Sequence, residues 1–203
     1  MEQIPAIARE RLLALMRILE HSPDTTLSSA QIETMTGWSS HTIRKDISYL
    51  NGDGSSIGSV AGYDREILLP VIKKALGLDR NRKYCITGLG RLGSAYLNMG
   101  TLDGFELAAG FDTNVNRIEI LPSPVPLYPA YKMGEVIRRF GIEIALLCVP
   151  EAAAQSAAEK LAAAGIRGIV NFVPAVLSLP PEVIVRNVYL TDELRAIAAR
   201  MGD

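Results

Sequence analysis

The glycine-rich stretch CITGLGRLGSAY, residues 85–96, constrains the fold more than any other part of the 203-residue chain. An apolar strand pattern runs into glycines spaced GxGxxG, and a helical pattern follows them. In this context the first glycine permits a tight turn, the second lets the backbone approach phosphates, and the third lets the helix pack on the sheet. The stretch predicts a dinucleotide site whose pyrophosphate is held by Gly88, Leu89, Gly90, Arg91, Leu92 and Gly93.

The second half of the chain alternates short apolar runs with helical patterns. The runs are KYCIT, FELAAGFD, IEIALLCVP, RGIVNFVP and EVIVRNVYL, and helical stretches such as GEVIRRFG and EAAAQSAAEKLAAAG separate several of them. This alternation is typical of a parallel sheet covered by helices on both faces. We predict an α/β Rossmann domain over residues 79–190 and a C-terminal helix over residues 191–203.

Asp112 closes the second predicted strand, 19 residues after Gly93. A carboxylate at that point can accept hydrogen bonds from the adenosine ribose hydroxyls and repels a 2′-phosphate, which favours NAD(H) over NADP(H). In a second interpretation, Asp112 is a turn residue that begins the segment DTNVN. Arg117 is close enough in sequence to affect the choice of nucleotide.

The predicted site has residues that bind a nucleotide but none suited to react with it. A dehydrogenase needs an acid–base group that faces the nicotinamide. Both histidines, His21 and His41, lie in the first half of the chain, and 13 residues follow position 190. We therefore predict no catalytic residue and no metal site, and we interpret Cys85 and Cys148 as buried packing residues.

The first half, residues 1–78, has the pattern of a DNA-binding unit. SSAQIETMTG predicts a capped helix that stops at Gly37, and SSHTIRKDISYL predicts a second helix capped by Ser39 or Ser40. The second helix has an apolar face and a basic polar face, as in a helix-turn-helix, and the glycine- and serine-rich segment NGDGSSIGSVAGY after it predicts a wing. The apolar face consists of Ile43, Ile47 and Leu50. The candidate DNA contacts are Ser40, His41, Arg44, Lys45, Ser48, Gly62 and Tyr63.

Charge composition does not by itself point to a nucleic-acid partner. Residues 1–78 carry 8 basic and 9 acidic side chains, and the whole chain carries 21 and 22. Two cations on a helix also suit an ordinary solvated face. The sequence shows no signal peptide and no apolar run long enough to span a bilayer, so we expect a cytoplasmic protein without a membrane partner.

Taken together, these segments resemble the Rex family of NADH-responsive transcriptional repressors along almost the whole chain. The similar segments are IPAIARERLLALMRILE, TIRKDISYL, AGYDREILLPVIKKALGLDRNRKYCITGLGRLGSAYLN and IEIALLCVPEAAAQSAAEKLAAAGIRGIVNFVPAVLSLP. The resemblance implies a winged-helix domain, a Rossmann domain and a homodimer with a swapped C-terminal helix. It also implies that NADH and NAD⁺ are effectors, with NADH favouring release from a palindromic double-stranded operator.

The resemblance assigns roles to individual residues. Arg44 and Lys45 would contact DNA, and Asp112 would hold the adenosine ribose. The nicotinamide side would be lined by Val149, Pro150, Asn171, Phe172 and Pro174. The last helix independently favours a dimer, since it carries an apolar stripe that no later part of the chain can cover: Leu194, Ile197, Ala198 and Met201.

Three departures from the family pattern affect these expectations. Met99 stands where family members commonly carry tyrosine, and Tyr189 stands where they carry aspartate. With Arg17, those two positions form the family's sensing network. The wing is also longer than usual. Because methionine and a phenol are uncharged near pH 7, weaker discrimination between NADH and NAD⁺, or a different effector, is an alternative. Another alternative is a small NAD- or coenzyme A-binding Rossmann protein that acts as an enzyme subunit.

Overall fold

A computed structural model describes residues 4–50, 57 and 62–202. The chain divides into two compact units, Met1–Arg80 and Asn81–Asp203, each with its own core. Within the described part of the chain, no helix combines the length and the apolar character that crossing a membrane requires.

The first unit consists of four helices and a two-stranded antiparallel ladder in its described residues. The elements are α1 (Ala6–His21), β1 (Thr26–Leu27), α2 (Ser29–Thr36), α3 (Ser40–Ser48), β2 (Tyr63–Asp64) and α4 (Arg65–Ala75). Leu12 and Leu19 of α1 and Ile72 of α4 are fully buried in one cluster. Trp38, the only tryptophan of the chain, packs against the edge of this cluster.

The capping residues explain where α2 and α3 begin and end. Ser28 and Gln31 form a capping box at the start of α2, and Gly37 ends it at φ 73°, a left-handed conformation that favours glycine. Ser39 caps α3 by accepting a hydrogen bond from the Thr42 N–H. Both helices predicted from the sequence are confirmed, and of the two candidate caps for α3 the structure uses Ser39.

The predicted wing falls largely outside the described residues, which omit 51–56 and 58–61. Its described base is the pairing of Leu27 with Tyr63. Gly62 has φ 126°, and a Cβ there would lie 2.7 Å from the Leu27 carbonyl oxygen. This close approach requires glycine, so Gly62 serves the backbone of the ladder. Tyr63 is buried, with 8% of its surface exposed.

The second unit is a six-stranded parallel sheet with helices around it. Its elements are β3 (Arg82–Thr87), α5 (Arg91–Leu97), β4 (Phe105–Asp112), α6 (Val115–Ile120), β5 (Leu127–Pro129), α7 (Met133–Phe140), β6 (Ile144–Leu147), α8 (Glu151–Ala164), β7 (Gly168–Asn171), β8 (Ile184–Asn187) and α9 (Leu190–Met201). The strand order is β5-β4-β3-β6-β7-β8, and every pairing is parallel. The chain order reverses at β3, which is the point where parallel sheets of this kind bind dinucleotides.

The predicted Rossmann sheet is confirmed, and two elements were not predicted from the sequence. Strand β5 is only three residues long and lies in a proline-rich segment, so it lacks a strand pattern. Pro129 is tolerated in β5 because β5 is an edge strand, where the missing N–H of a proline does not interrupt the ladder of hydrogen bonds. The short helix α6 also lacks a buried face that a periodic pattern could reveal.

Helix α9 buries none of its side chains against the described part of its own chain. The exposed fractions are 58% for Leu194, 57% for Ile197 and 77% for Met201. The apolar stripe predicted from the sequence is therefore uncovered. Exchange of this helix with a second subunit stays a prediction.

An ion pair between the partly exposed Arg11 and the buried Asp46 joins α1 to α3. Arg11 donates from Nε and Nη2 to the two carboxylate oxygens of Asp46, the second bond at 2.8 Å. The Asp46 side chain is only 5% exposed, and the pairing raises the pKa of Arg11 although burial opposes this. This pair was not predicted from the sequence, since Asp46 places a carboxylate on the apolar face of α3, between Ile43 and Leu50, where the pattern alone names no partner for it.

Replacing Arg11→Met should lower the free energy of unfolding of the first unit by about 3 kcal/mol, because it leaves a buried carboxylate without its counter-ion. Urea unfolding followed by Trp38 fluorescence measures this, since Trp38 lies at the edge of the same core. Arg9→Met is the matched control, because Arg9 is exposed and its side chain donates to the Ile4 carbonyl oxygen, at 3.3 Å. Equal stability of the two variants would contradict the assigned role of the pair.

Candidate functional site

The glycine turn lies at the carboxyl end of β3, directly beside the end of β6. The Gly88 N–H donates to the Phe111 carbonyl at 2.8 Å, and Gly88 has φ 90°. A Cβ at this position would lie 2.7 Å from the Cys148 carbonyl and 2.8 Å from the Val149 nitrogen. The turn therefore lies against the β6–α8 connection, and the structure brings Gly88 and Val149 together.

Gly93 and Gly90 have different roles in the turn. A Cβ at Gly93 would lie 1.9 Å from the Gly88 carbonyl oxygen, so only glycine lets α5 press onto the turn. A Cβ at Gly90 would meet nothing within 4 Å. Gly90 caps α5 without a side chain that accepts from its first N–H groups. Open space in front of unblocked N–H groups fits a pyrophosphate.

The Asp112 carboxylate is buried at the end of β4 and accepts three hydrogen bonds. Oδ2 accepts from the Leu89 N–H at 2.7 Å and from Arg117 Nη1 at 2.8 Å, and Oδ1 accepts from the Asn114 N–H at 2.8 Å. Burial acts to raise the pKa of Asp112, but the hydrogen bonds and the Arg117 charge outweigh it, and the pKa lies below its ordinary value.

These contacts make Asp112 both a turn residue and a neighbour of the glycine turn. A carboxylate offers about four lone-pair positions, so three bonds leave about one for a ribose hydroxyl. Accepting from both ribose hydroxyls requires Arg117 to move. Binding of the ribose by Asp112 stays a prediction, and Arg117, 42% exposed, is paired with the same carboxylate.

The NFVP loop is fastened by Asn171, which is fully buried at the end of β7. Its Oδ1 accepts from the Val173 N–H at 3.0 Å. Its Nδ2 donates toward the Ala175 carbonyl at 3.1 Å, Asn187 Oδ1 at 3.0 Å and the Tyr189 hydroxyl at 3.0 Å. Tyr189 in turn donates to the Ala175 carbonyl at 3.1 Å. Asn171 therefore ties the loop, β8 and Tyr189 into one uncharged network.

A ring contact joins α5 to the same loop. The ring centroids of Tyr96 and Phe172 lie 4.9 Å apart. Tyr96 was not identified from the sequence, because an aromatic on a helix has no pattern that distinguishes it from a core residue. Pro174, two positions after Phe172, is exposed, as is Pro150, and Val149 is half-buried against the core.

The three residues of the expected sensing network lie in different places. Arg17 is exposed on α1 in the first unit. Met99 is 56% exposed just after α5. Tyr189 is held in the Asn171 network. Asp192 and Glu193, the carboxylates nearest to Tyr189 in sequence, are exposed at the start of α9, and Asp192 pairs with Arg195.

The two cysteines do not form a reactive site. Burial raises the pKa of both thiols to about 12, so each stays protonated at neutral pH. Cys85 is fully buried as expected, but Cys148, just after β6, is only partly buried. Among the residues that the structure describes, no group of three or more His, Cys, Asp and Glu side chains could hold a metal ion.

The polar face of α3 is presented to solvent. His41, Arg44, Lys45 and Ser48 are exposed, whereas Ile43 and Ile47 are 2% and 3% exposed. Three of the candidate DNA contacts, Ser40, Ser48 and Tyr63, are engaged within the protein. The Ser48 hydroxyl donates to the Lys45 carbonyl at 2.6 Å. The Ser40 N–H donates to the Glu33 carboxylate at 3.0 Å. The side chain of Tyr63 is packed into the core of the first unit and is not on the exposed face of α3.

The fold and site together define a class of protein: a helix-turn-helix unit followed by a parallel sheet with a dinucleotide-type turn. Comparison with known proteins agrees with this division. Residues 79–175 match a family model described as a CoA binding domain. The redox-sensing transcriptional repressor Rex of Levilactobacillus brevis is 35% identical over 201 residues, which cover 97% of this chain and 93% of that protein. The repressor of the same name from Thermus thermophilus is 37% identical over 202 residues, with coverage of 92% and 88%.

Solved structures give the same result. The crystal structure of RSP, a Rex-family repressor, superimposes with a TM-score of 0.85 and 31% identity over 98% of this chain and 93% of that chain. RSP in complex with β-NAD⁺ and operator DNA gives a TM-score of 0.86, with 31% identity and coverage of 98% and 92%. The chain belongs to the Rex family of redox-sensing transcriptional repressors.

The glycine turn predicts opposite effects for two similar substitutions. Gly93→Ala should lower the free energy of unfolding of the second unit by about 2–3 kcal/mol, because the new Cβ overlaps the Gly88 carbonyl. Gly90→Ala should leave it unchanged or raise it by about 0.5 kcal/mol, because φ −68° suits alanine and the space is open. Thermal unfolding of both variants without nucleotide tests the pair. Equal losses would show that the turn geometry is assigned wrongly.

Proposed function

We propose that the protein is a homodimeric transcriptional repressor that binds a palindromic double-stranded operator and is released from it by NADH. The single observation that supports this most is the joining, in one chain, of an exposed basic helix face and a glycine turn suited to a pyrophosphate. RSP, which is similar over 98% of this chain, has been solved with β-NADH and with β-NAD⁺ and operator DNA. The proposed role needs no catalytic residue, and the protein would act in the cytoplasm.

The DNA contacts would come from the exposed face of α3. Arg44 and Lys45 can reach guanine edges or phosphates, and His41 and Ser48 lie on the same face. The ion pair between Arg11 and Asp46 supports this face from behind, since it fixes α3 against α1.

The nucleotide would bind along the carboxyl ends of β3, β4, β6 and β7. Backbone N–H groups at the start of α5 would hold the pyrophosphate, and Asp112 and Arg117 would border the adenosine ribose. Val149, Pro150 and the NFVP loop would border the nicotinamide. When bound, NADH would supply the binding free energy that shifts the protein between two arrangements.

A dimer would supply the cover that α9 lacks. Its stripe of Leu194, Ile197 and Met201 is exposed in the single chain, and a two-fold partner would bury it. Two recognition helices related by that axis would match two half-sites of a palindrome. NADH would then act by binding more tightly to the arrangement in which the half-sites are mismatched, because a ligand shifts a population only through differential affinity.

Titrating NADH into a complex with DNA tests the proposed function. The probe is a labelled duplex selected by the wild-type protein from a random-sequence pool, and the readout is fluorescence anisotropy at fixed salt. We expect NADH to weaken DNA binding about 10- to 100-fold. Gly90→Ala should bind DNA but respond less to NADH, because its Cβ enters the pyrophosphate space. Arg44→Gln should still bind NADH but should no longer bind the DNA duplex. Wild-type protein that binds neither ligand would overturn the proposal.

One observation favours a second candidate: a repressor of the same build with weak discrimination between NADH and NAD⁺. The Tyr189 hydroxyl is bonded to the Ala175 carbonyl and to the Asn171 amide. At the position where the family resemblance implies an aspartate, this chain therefore holds an uncharged hydrogen-bond network. The nicotinamide ring is cationic in NAD⁺ and neutral in NADH, and an uncharged network distinguishes these forms poorly.

Competition of NAD⁺ against NADH separates the two candidates. Under the second, the wild-type affinities differ by less than about tenfold, and Tyr189→Asp widens the difference, because a carboxylate interacts with the ring charge. Tyr189→Phe is the control, since it removes the hydroxyl without adding charge. A wild-type preference for NADH of about 100-fold or more, a coupling of almost 3 kcal/mol, would rule out the second candidate and leave the first.

A further inference from the structure

The amino end of α3 is closed by a carboxylate from the preceding helix. Glu33 of α2 accepts two hydrogen bonds from Ser40 on one oxygen, Oε2. The N–H lies at 3.0 Å and the hydroxyl at 2.5 Å. The neighbouring Ser39 hydroxyl oxygen accepts from the Thr42 N–H at 3.2 Å. The chain therefore satisfies two of the first N–H groups of its own recognition helix, one of them with a full negative charge.

This position lies where DNA would approach. In a helix-turn-helix, the amino end of the second helix enters the major groove and passes close to the phosphate backbone. A helix amino end with free N–H groups attracts phosphate. Glu33 is exposed, so its charge is presented to the surroundings and is not cancelled by burial. A phosphate at this end of α3 would meet the carboxylate.

Glu33 also lies within electrostatic reach of the basic face. The hydroxyl and N–H of Ser40 lower the pKa of Glu33 below its ordinary value, and the charge of Arg44 lowers it further. Glu33 is therefore ionised at neutral pH, and its charge offsets part of the attraction that Arg44 exerts on any phosphate. Its second oxygen, Oε1, makes no hydrogen bond within the described part of the chain.

We propose that Glu33 is a specificity-determining residue of the DNA-binding face. It weakens binding to duplexes of arbitrary sequence by excluding phosphate from the amino end of α3. Its second oxygen stays available to a base-edge donor such as the cytosine amino group. The inference rests on the proposed DNA-binding function and adds to it a residue that lowers the affinity for nonspecific DNA.

Glu33→Gln tests this, because glutamine keeps an oxygen that accepts from Ser40 but removes the charge. Binding is measured by anisotropy between about 50 and 200 mM salt. The probes are the duplex selected by the wild-type protein and a scrambled duplex of equal length and composition. For the scrambled duplex we expect about fivefold tighter binding and a salt slope steeper by about 0.9, the value of one added phosphate contact. Affinity for the selected duplex should change by less than about threefold.

Asp24→Asn is the matched control, since it makes the same charge change at an exposed position in the loop after α1. It should leave both affinities and both slopes unchanged. Urea unfolding followed by Trp38 fluorescence shows whether the first unit stays folded in each variant. If Glu33 has a purely structural role, Glu33→Gln should change the affinity for both duplexes by the same factor and leave the salt slope unchanged.

Two results overturn the inference in distinguishable ways. In the first, the wild-type protein prefers the selected duplex, but Glu33→Gln changes the affinity for both duplexes equally or for neither. Glu33 then does not determine specificity, and the DNA-binding function stands. If the wild-type protein binds neither duplex at the lowest salt, the proposed function fails and the inference fails with it.

Discussion

The contact between Gly93 and the Gly88 carbonyl sets the geometry of the second unit. A Cβ at Gly93 would lie 1.9 Å from that oxygen, so α5 reaches the turn only because the side chain is absent. With α5 in this place, the turn rests against the Cys148–Val149 backbone, and the Leu89 N–H reaches Asp112. The unblocked start of α5 and the ring contact of Tyr96 with Phe172 follow from the same placement of the helix.

Two buried carboxylates fix the elements that the proposed function uses. Asp46 holds α3 through Arg11, and Asp112 holds the glycine turn through the Leu89 N–H while it pairs with Arg117. Burying a carboxylate is costly unless it is paired and hydrogen-bonded, and removing its partner costs several kcal/mol. Such pairs are weak evidence for stability, but their directional bonds specify one arrangement. In the first unit the pair lies behind the exposed face of α3, and in the second it borders the proposed ribose position itself.

The sequence was sufficient to predict the order of the elements and the position of the turn, because both depend on local patterns. Glycine spacing, capping serines and apolar periodicity predicted β3, α5, α2 and α3 close to their observed bounds. Contacts between residues distant in sequence could not be predicted this way. Nothing local shows that Asp46 turns inward to Arg11, 35 positions earlier, or that Tyr63 belongs to the core. Arg117 was noticed near Asp112, but only the structure shows them bonded.

A regulator that responds to oxidation state needs a group whose interaction changes with the charge of the nicotinamide ring. The hydrogen-bonding groups of the Asn171 network are all uncharged. They are the amides of Asn171 and Asn187, the phenol of Tyr189, the Ala175 carbonyl and the Val173 N–H. Such groups respond to the shape of a ligand and to its hydrogen-bonding groups. NADH and NAD⁺ carry the same carboxamide and therefore offer the same hydrogen-bonding groups. Under the second proposal, the loop therefore detects whether a dinucleotide is bound, and any sensitivity to ring charge has to come from a cation or carboxylate outside this network.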